Sequence, residues 1–125
     1  MPVIRSADAV VHDLHGSRFT SFANPAGGSR ELCAWRLEVA GGTIGVPHRV
    51  TREEVLFMLS GELRVTLDDQ PLQLAAAGDA IVVPAGSRFG VDNPSAGPAT
   101  AWVTTSVGLE AVLADGTWIS PPWVR

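Results

Sequence analysis

Hydrophobic and polar residues alternate along "RELCAWRLEVA": Cys33, Trp35, Leu37 and Val39 share one parity, and Ala34, Arg36 and Glu38 the other. A period of two is that of a strand with one buried face, so the segment predicts an early strand of a sheet. In the following "GGTIGVP", Gly41, Gly42 and Gly45 break the run and Pro47 fixes the backbone just before His48. That pattern predicts a turn that delivers the histidine to a strand. "EEVLFMLSGELRVTLDDQPLQL" then reads as two strands joined at Ser60-Gly61, a reversal at Asp68-Asp69, and a third strand ending near Leu74. In the first of these, Glu54, Leu56 and Met58 fall on one face, while Val55, Phe57 and Leu59 fall on the other.

"AAGDAIVVPAGSRFGVDNPSAGPATAWVTTSV" repeats the logic with a Gly-Asp turn, a short apolar strand, a Pro-x-Gly corner, a strand through Phe89, and a last strong strand. Turns at this spacing predict a sandwich or barrel. In "GLEAVLADGTWISPPWVR", Leu109 to Ala114 suits either one helical turn or an edge strand, and Pro121-Pro122 argues for an irregular tail. With 125 residues, 13 glycines and 9 prolines, the chain reads as one all-β domain. Its expected parts are an amino-terminal arm at 1–29, a core barrel at about 30–108, and a tail at 109–125 that contains Trp118 and Trp123.

Charge narrows the partners. The net charge is -4 and the nine basic residues are scattered arginines, which leaves no basic face for nucleic acid. No apolar run approaches the roughly 18 residues of a membrane span, and the first residues lack an export pattern, so a cytoplasmic protein with no membrane partner is expected. Cys33, the single cysteine, sits in a strand pattern and reads as a small core residue.

Two segments carry regularly spaced glycines with polar residues between them. The first has Gly42, His48, Glu54 and Gly61; the second has Gly78, Pro84, Gly86 and Asn93. They resemble the two signature motifs of the cupin superfamily, G(X)5HXH(X)3,4E(X)6G and G(X)5PXG(X)2H(X)3N. The resemblance implies a cupin-type jelly-roll β-barrel. Typical members hold a metal with three histidines and one glutamate, but Val50 and Phe89 stand where two of those histidines belong. The Pro-Pro-Trp ending is also similar to that of small bacterial cupins, and the family's habit of pairing end strands implies a homodimer.

Several uses of the retained polar residues remain open. His48 and Glu54 are candidate proton-transfer groups in a pocket to which Val50 and Phe89 add apolar wall. They suit equally a structural pair that bonds to itself. Leu56, Met58, Arg36, Arg64 and Trp102 are further pocket candidates, with core packing or solvated charge as their ordinary alternatives. For function, the leading expectation is a small-molecule-binding cupin that acts as a non-redox cyclase, isomerase or dehydratase on an aromatic or polyketide-like metabolite. The alternatives are a metal-dependent oxygenase-like cupin with a depleted ligand shell and a non-catalytic binding module. The cofactor is accordingly none or a weakly bound divalent transition metal on His48 and Glu54, with His12 and His15 as remote candidate ligands.

Overall fold

A computed structural model describes residues 3–125. Its strands are β1 Val10–Leu14, β2 Ser17–Ala23, β3 Leu32–Val39, β4 Thr43–Ile44, β5 His48–Val50, β6 Glu54–Ser60 and β7 Glu62–Leu67. There follow β8 Gln73–Ala76, β9 Ala80–Val83, β10 Arg88–Asn93, β11 Ala99–Ser106, β12 Ala111–Leu113 and β13 Trp118–Ile119. One sheet runs β1-β2-β3-β11-β6-β9, and the other β13-β12-β5-β10-β7-β8 with β4 also paired to β10. Every pairing is antiparallel. No helix among the described residues is long and apolar enough to cross a membrane.

The alternation read from residues 33–39 is the burial pattern of β3: Cys33, Trp35, Leu37 and Val39 are buried, and Arg36 is exposed. The register extends that inner face across the sheet. Ser21, Trp35, Val103, Leu56 and Ile81 form one row through β2, β3, β11, β6 and β9, and all five are buried. Apolar rows of this kind from the two facing sheets make up the core.

The motif glycines act as corners. Gly61 joins β6 to β7 with φ +73°, and a Cβ there would lie 2.8 Å from the Ala99 backbone, so both conformation and space call for glycine. Asn93 is fully buried and works as a clamp. Its Nδ2 donates to Val39 O at 3.0 Å and Gly97 O at 2.9 Å, while its Oδ1 accepts from Ser95 N and Oγ. It thus ties β3 of one sheet to β10 of the other.

The two ends of the chain are more ordered than the sequence pattern suggests. The amino-terminal segment supplies β1 and β2 to the edge of the first sheet. The tail, expected to be irregular, instead forms a hairpin of β12 and β13 followed by a 3-10 turn at Pro122–Val124. The reason lies in Asp115-Gly116: Asp115 Oδ1 accepts from Thr117 N at 2.9 Å, Gly116 takes φ +87°, and Leu113 N donates to Thr117 O at 2.9 Å. This Asp-Gly turn was the signal that could have predicted the hairpin.

Candidate functional site

A pocket of about 130 Å³ lies between the sheets. Its deep wall is built from Trp35, Leu56, Val103 and Glu54 of the first sheet and from Val50 and Phe89 of the second. Its mouth is edged by Leu14, His15 and Val46, all exposed. Leu109, Pro121 and Trp123 bring the tail into the wall.

His48 reaches this site because the chain passes unusually close to β10. A Cβ on Gly45 would lie 2.1 Å from Val91 O, so only glycine permits the approach, and Gly45 N donates to Asp92 Oδ1 at 2.8 Å. In the next strand His48 pairs directly with Phe89, and the two rings meet edge to face at 5.4 Å. His48 Nδ1 lies 3.0 Å from Val46 O. A carbonyl only accepts, so Nδ1 carries the proton of this bond, which in the neutral tautomer leaves the lone pair on Nε2.

Glu54 opens β6 on the buried parity and is 6% exposed. Burial alone pushes its carboxyl up from an ordinary 4.5 to about 7, since no charge or hydrogen bond of a described residue stabilises the carboxylate. It is not bonded to His48, whose ring finds one hydrogen-bond partner among the described residues, the Val46 carbonyl. The self-bonded structural pair is therefore not what forms. A second polar group is also unpaired: Trp35 Nε1–H is buried with no acceptor among the described residues. A donor left in that state costs about 1–3 kcal/mol.

The pocket brings together five of the nine expected catalytic and pocket residues, His48, Glu54, Val50, Leu56 and Phe89. Four others do not reach it. Arg36 and Arg64 point outward and are exposed, because their neighbours in β3 and β7 hold the inner parity. Trp102 projects from the outer face of β11, where it tilts against Phe22 at 5.4 Å. Met58 does face inward but pairs with Ala101 in solid core beyond the end of the pocket. His12 lies against Trp123 with ring centroids 6.2 Å apart, whereas His15 reaches the mouth on the tight turn between β1 and β2.

The sequence reading missed Trp123 in particular. Placed by the sequence pattern only in an irregular tail, it is 7% exposed and stacks on Phe19 at 3.7 Å with the rings 8° from parallel. Trp118, by contrast, is exposed.

The donor set does not fit the metal centre typical of this motif. Val50 and Phe89 fill two ligand positions with carbon, and no three His, Cys, Asp or Glu among the described residues are grouped so as to hold an ion. His15 does not complete such a group with His48 and Glu54.

The family model described as "Cupin domain" matches residues 35–106. No curated protein sequence matches the chain. Among solved structures, the polyketide cyclase RemF from Streptomyces resistomycificus is 18% identical, with 85% of this chain and 79% of that one covered and a TM-score of 0.76. An RmlC-like cupin from Shewanella frigidimarina is 20% identical over 85% of this chain and 90% of that one, with a TM-score of 0.72. A cupin-superfamily sugar phosphate isomerase from Silicibacter pomeroyi is 16% identical over 99% and 96%, with a TM-score of 0.71. At such identities the likeness is one of fold.

Proposed function

The chain belongs to the cupin family, and from that premise we propose that its barrel is the site of a non-redox enzyme of the cyclase, isomerase or dehydratase type. The observation that carries this reading is the pairing of a base and an acid in one apolar pocket. His48 offers a lone pair on Nε2, and Glu54 retains a proton near neutral pH.

In such a site His48 Nε2 takes the proton from a carbon next to a substrate carbonyl, while Glu54 donates its proton to the carbonyl oxygen. The product of that step is an enol, formed with no change of oxidation level. Return of a proton to another carbon completes an isomerisation. In either further step the enol O–H returns its proton to the Glu54 carboxylate: attack by the enol carbon on a second carbonyl closes a ring as His48 protonates the new alkoxide, and loss of a β-hydroxyl with the proton held on His48 releases water. The apolar wall of Val50, Phe89, Leu56 and Val103 keeps solvent from quenching the intermediate. Cyclase and isomerase activities borne by name among the fold neighbours accord with this chemistry.

Exchange of α-protons tests the reading without the natural substrate. Cyclohexanone in deuterated buffer, followed by NMR, is expected to exchange about 100-fold faster with the native protein than with His48→Ala or Glu54→Gln, the low end of acid–base contributions. Equal rates in all three proteins overturn it. Saturable binding of the ketone with no exchange would instead identify a binding module.

We also infer a homodimer that uses the outer face of the first sheet. Val55, Phe57 and Leu59 of β6 and Val82 of β9 are exposed there. Cross-strand register sets Phe57 beside Trp102, and Val55 beside Val82, in one continuous apolar patch. Patches of this kind favour burial against a partner. Light scattering on eluting protein is expected to give the mass of two chains for the native protein and of one for Phe57→Glu; a native monomer would refute the pairing.

A further inference from the structure

The proposed site also limits what can occupy it. We propose that the pocket takes a neutral single six-membered ring bearing an oxygen, a phenol or a cyclic ketone, with that oxygen bonded to the Glu54 carboxyl, and that it rejects carboxylates. The inference rests on the reading of the barrel as a ligand site, and three features of the wall support it.

The first is size. The pocket measures about 130 Å³. An engineered apolar cavity of about 150 Å³ in another protein admits benzene, so one ring is the natural occupant here. Anything larger must extend through the mouth past Leu14, His15 and Val46.

The second is charge. No arginine lines the pocket, and Arg36 and Arg64 are on the outer faces. The ionisable groups in the wall are His15 at the mouth, His48, and Glu54 in the depth. A ligand carboxylate would find no guanidinium fork there, and would be placed in an apolar space that already holds a carboxyl group.

The third is an unpartnered polar group. The Glu54 carboxyl lines the pocket, is more than nine-tenths buried and has no protein partner among the described residues. A hydrocarbon ring would leave it unsatisfied. A hydroxyl can donate to the carboxylate or accept from the carboxylic acid, and a ketone can accept from the acid.

Calorimetric titration of the full chain with phenol, cyclohexanone, benzene, benzoate and 2-naphthol tests the proposal. Phenol and cyclohexanone are expected to bind at least about tenfold more tightly than benzoate and about fivefold more tightly than benzene, and 2-naphthol more weakly than phenol. In Glu54→Leu the preference for phenol over benzene is expected to vanish while benzene still binds, which shows that the variant is folded. Benzoate binding as tightly as phenol, tighter binding of 2-naphthol, or an unchanged phenol preference in Glu54→Leu would each overturn the proposal. Binding and exchange fail separately. Ring selectivity without α-proton exchange overturns the enzymatic reading alone, and exchange with the opposite ring selectivity overturns this proposal alone.

Discussion

Replacing Trp123 with alanine is expected to destabilise the protein by about 3–5 kcal/mol, the range for removing a large buried aromatic. The side chain stacks on Phe19 at 3.7 Å and forms part of the pocket wall, so its loss leaves a void continuous with the site. The backbone around it is anchored as well: Ser21 Oγ donates to Trp123 O at 2.8 Å, and Cys33 Sγ lies 3.6 Å from Val124 O. Such anchoring prevents the tail from collapsing into the gap, which places the cost toward the upper end of cavity-forming changes. Urea titration measures the loss directly, and a melting point lower by roughly 10–20 °C is the thermal equivalent for a domain of this size. Trp123→Phe retains a stacked ring and should recover most of the difference. A change below about 1 kcal/mol in Trp123→Ala would mean that the tail contributes little to the core.

Stability is expected to fall as pH rises from about 4.5 to 7, with Glu54 as the cause. In the unfolded chain this carboxyl releases its proton near 4.5, and in the fold near 7. Within that window the native state holds a proton that the unfolded state has lost, so each step up in pH favours unfolding. The full contribution is present below the unfolded value and is gone above the folded one, and it amounts to about 3 kcal/mol at 1.4 kcal/mol per pH unit. Glu54→Gln is expected to remove this slope and to be more stable than the native protein at pH 8 by up to that amount. The same variant is expected to lose α-proton exchange, so one residue would lower stability while supporting chemistry. Denaturation midpoints for both proteins at pH 5 and pH 8 give the answer. Parallel pH dependences would show that the Glu54 carboxyl is ionised alike in both states.

Much of the fold was legible because strands and turns are encoded over short distances. The alternation through Cys33, Trp35, Leu37 and Val39 named an inner face that the structure keeps. The motif glycines marked real corners: Gly42, Gly61, Gly78 and Gly86 all have positive φ. The same local code placed Glu54 and Leu56 inward and Val55, Phe57 and Leu59 outward. The motif resemblance, in turn, put Val50 and Phe89 in the positions of missing ligands, and both line one pocket with His48.

Parity names a face of a strand, but it does not say how deep along the barrel a residue lies. Met58 has the parity of Glu54, yet sits in solid core past the end of the pocket. Nor does an alternating pattern reveal by itself which parity faces in when both carry large side chains, as with Trp102 in β11 and Arg64 in β7.

The sequence by itself determined the all-β frame and the turns, because these depend on backbone conformation and near-neighbour periodicity, and its motif spacing singled out His48 and Glu54. Tertiary structure alone decided that His15 edges the mouth, that Trp123 closes the wall against a residue 104 positions earlier, and that Glu54 is left without a partner among the described residues. Each of these is set by contacts between distant segments, and it is the burial those contacts create that raises the Glu54 carboxyl and makes a pocket of the space around it.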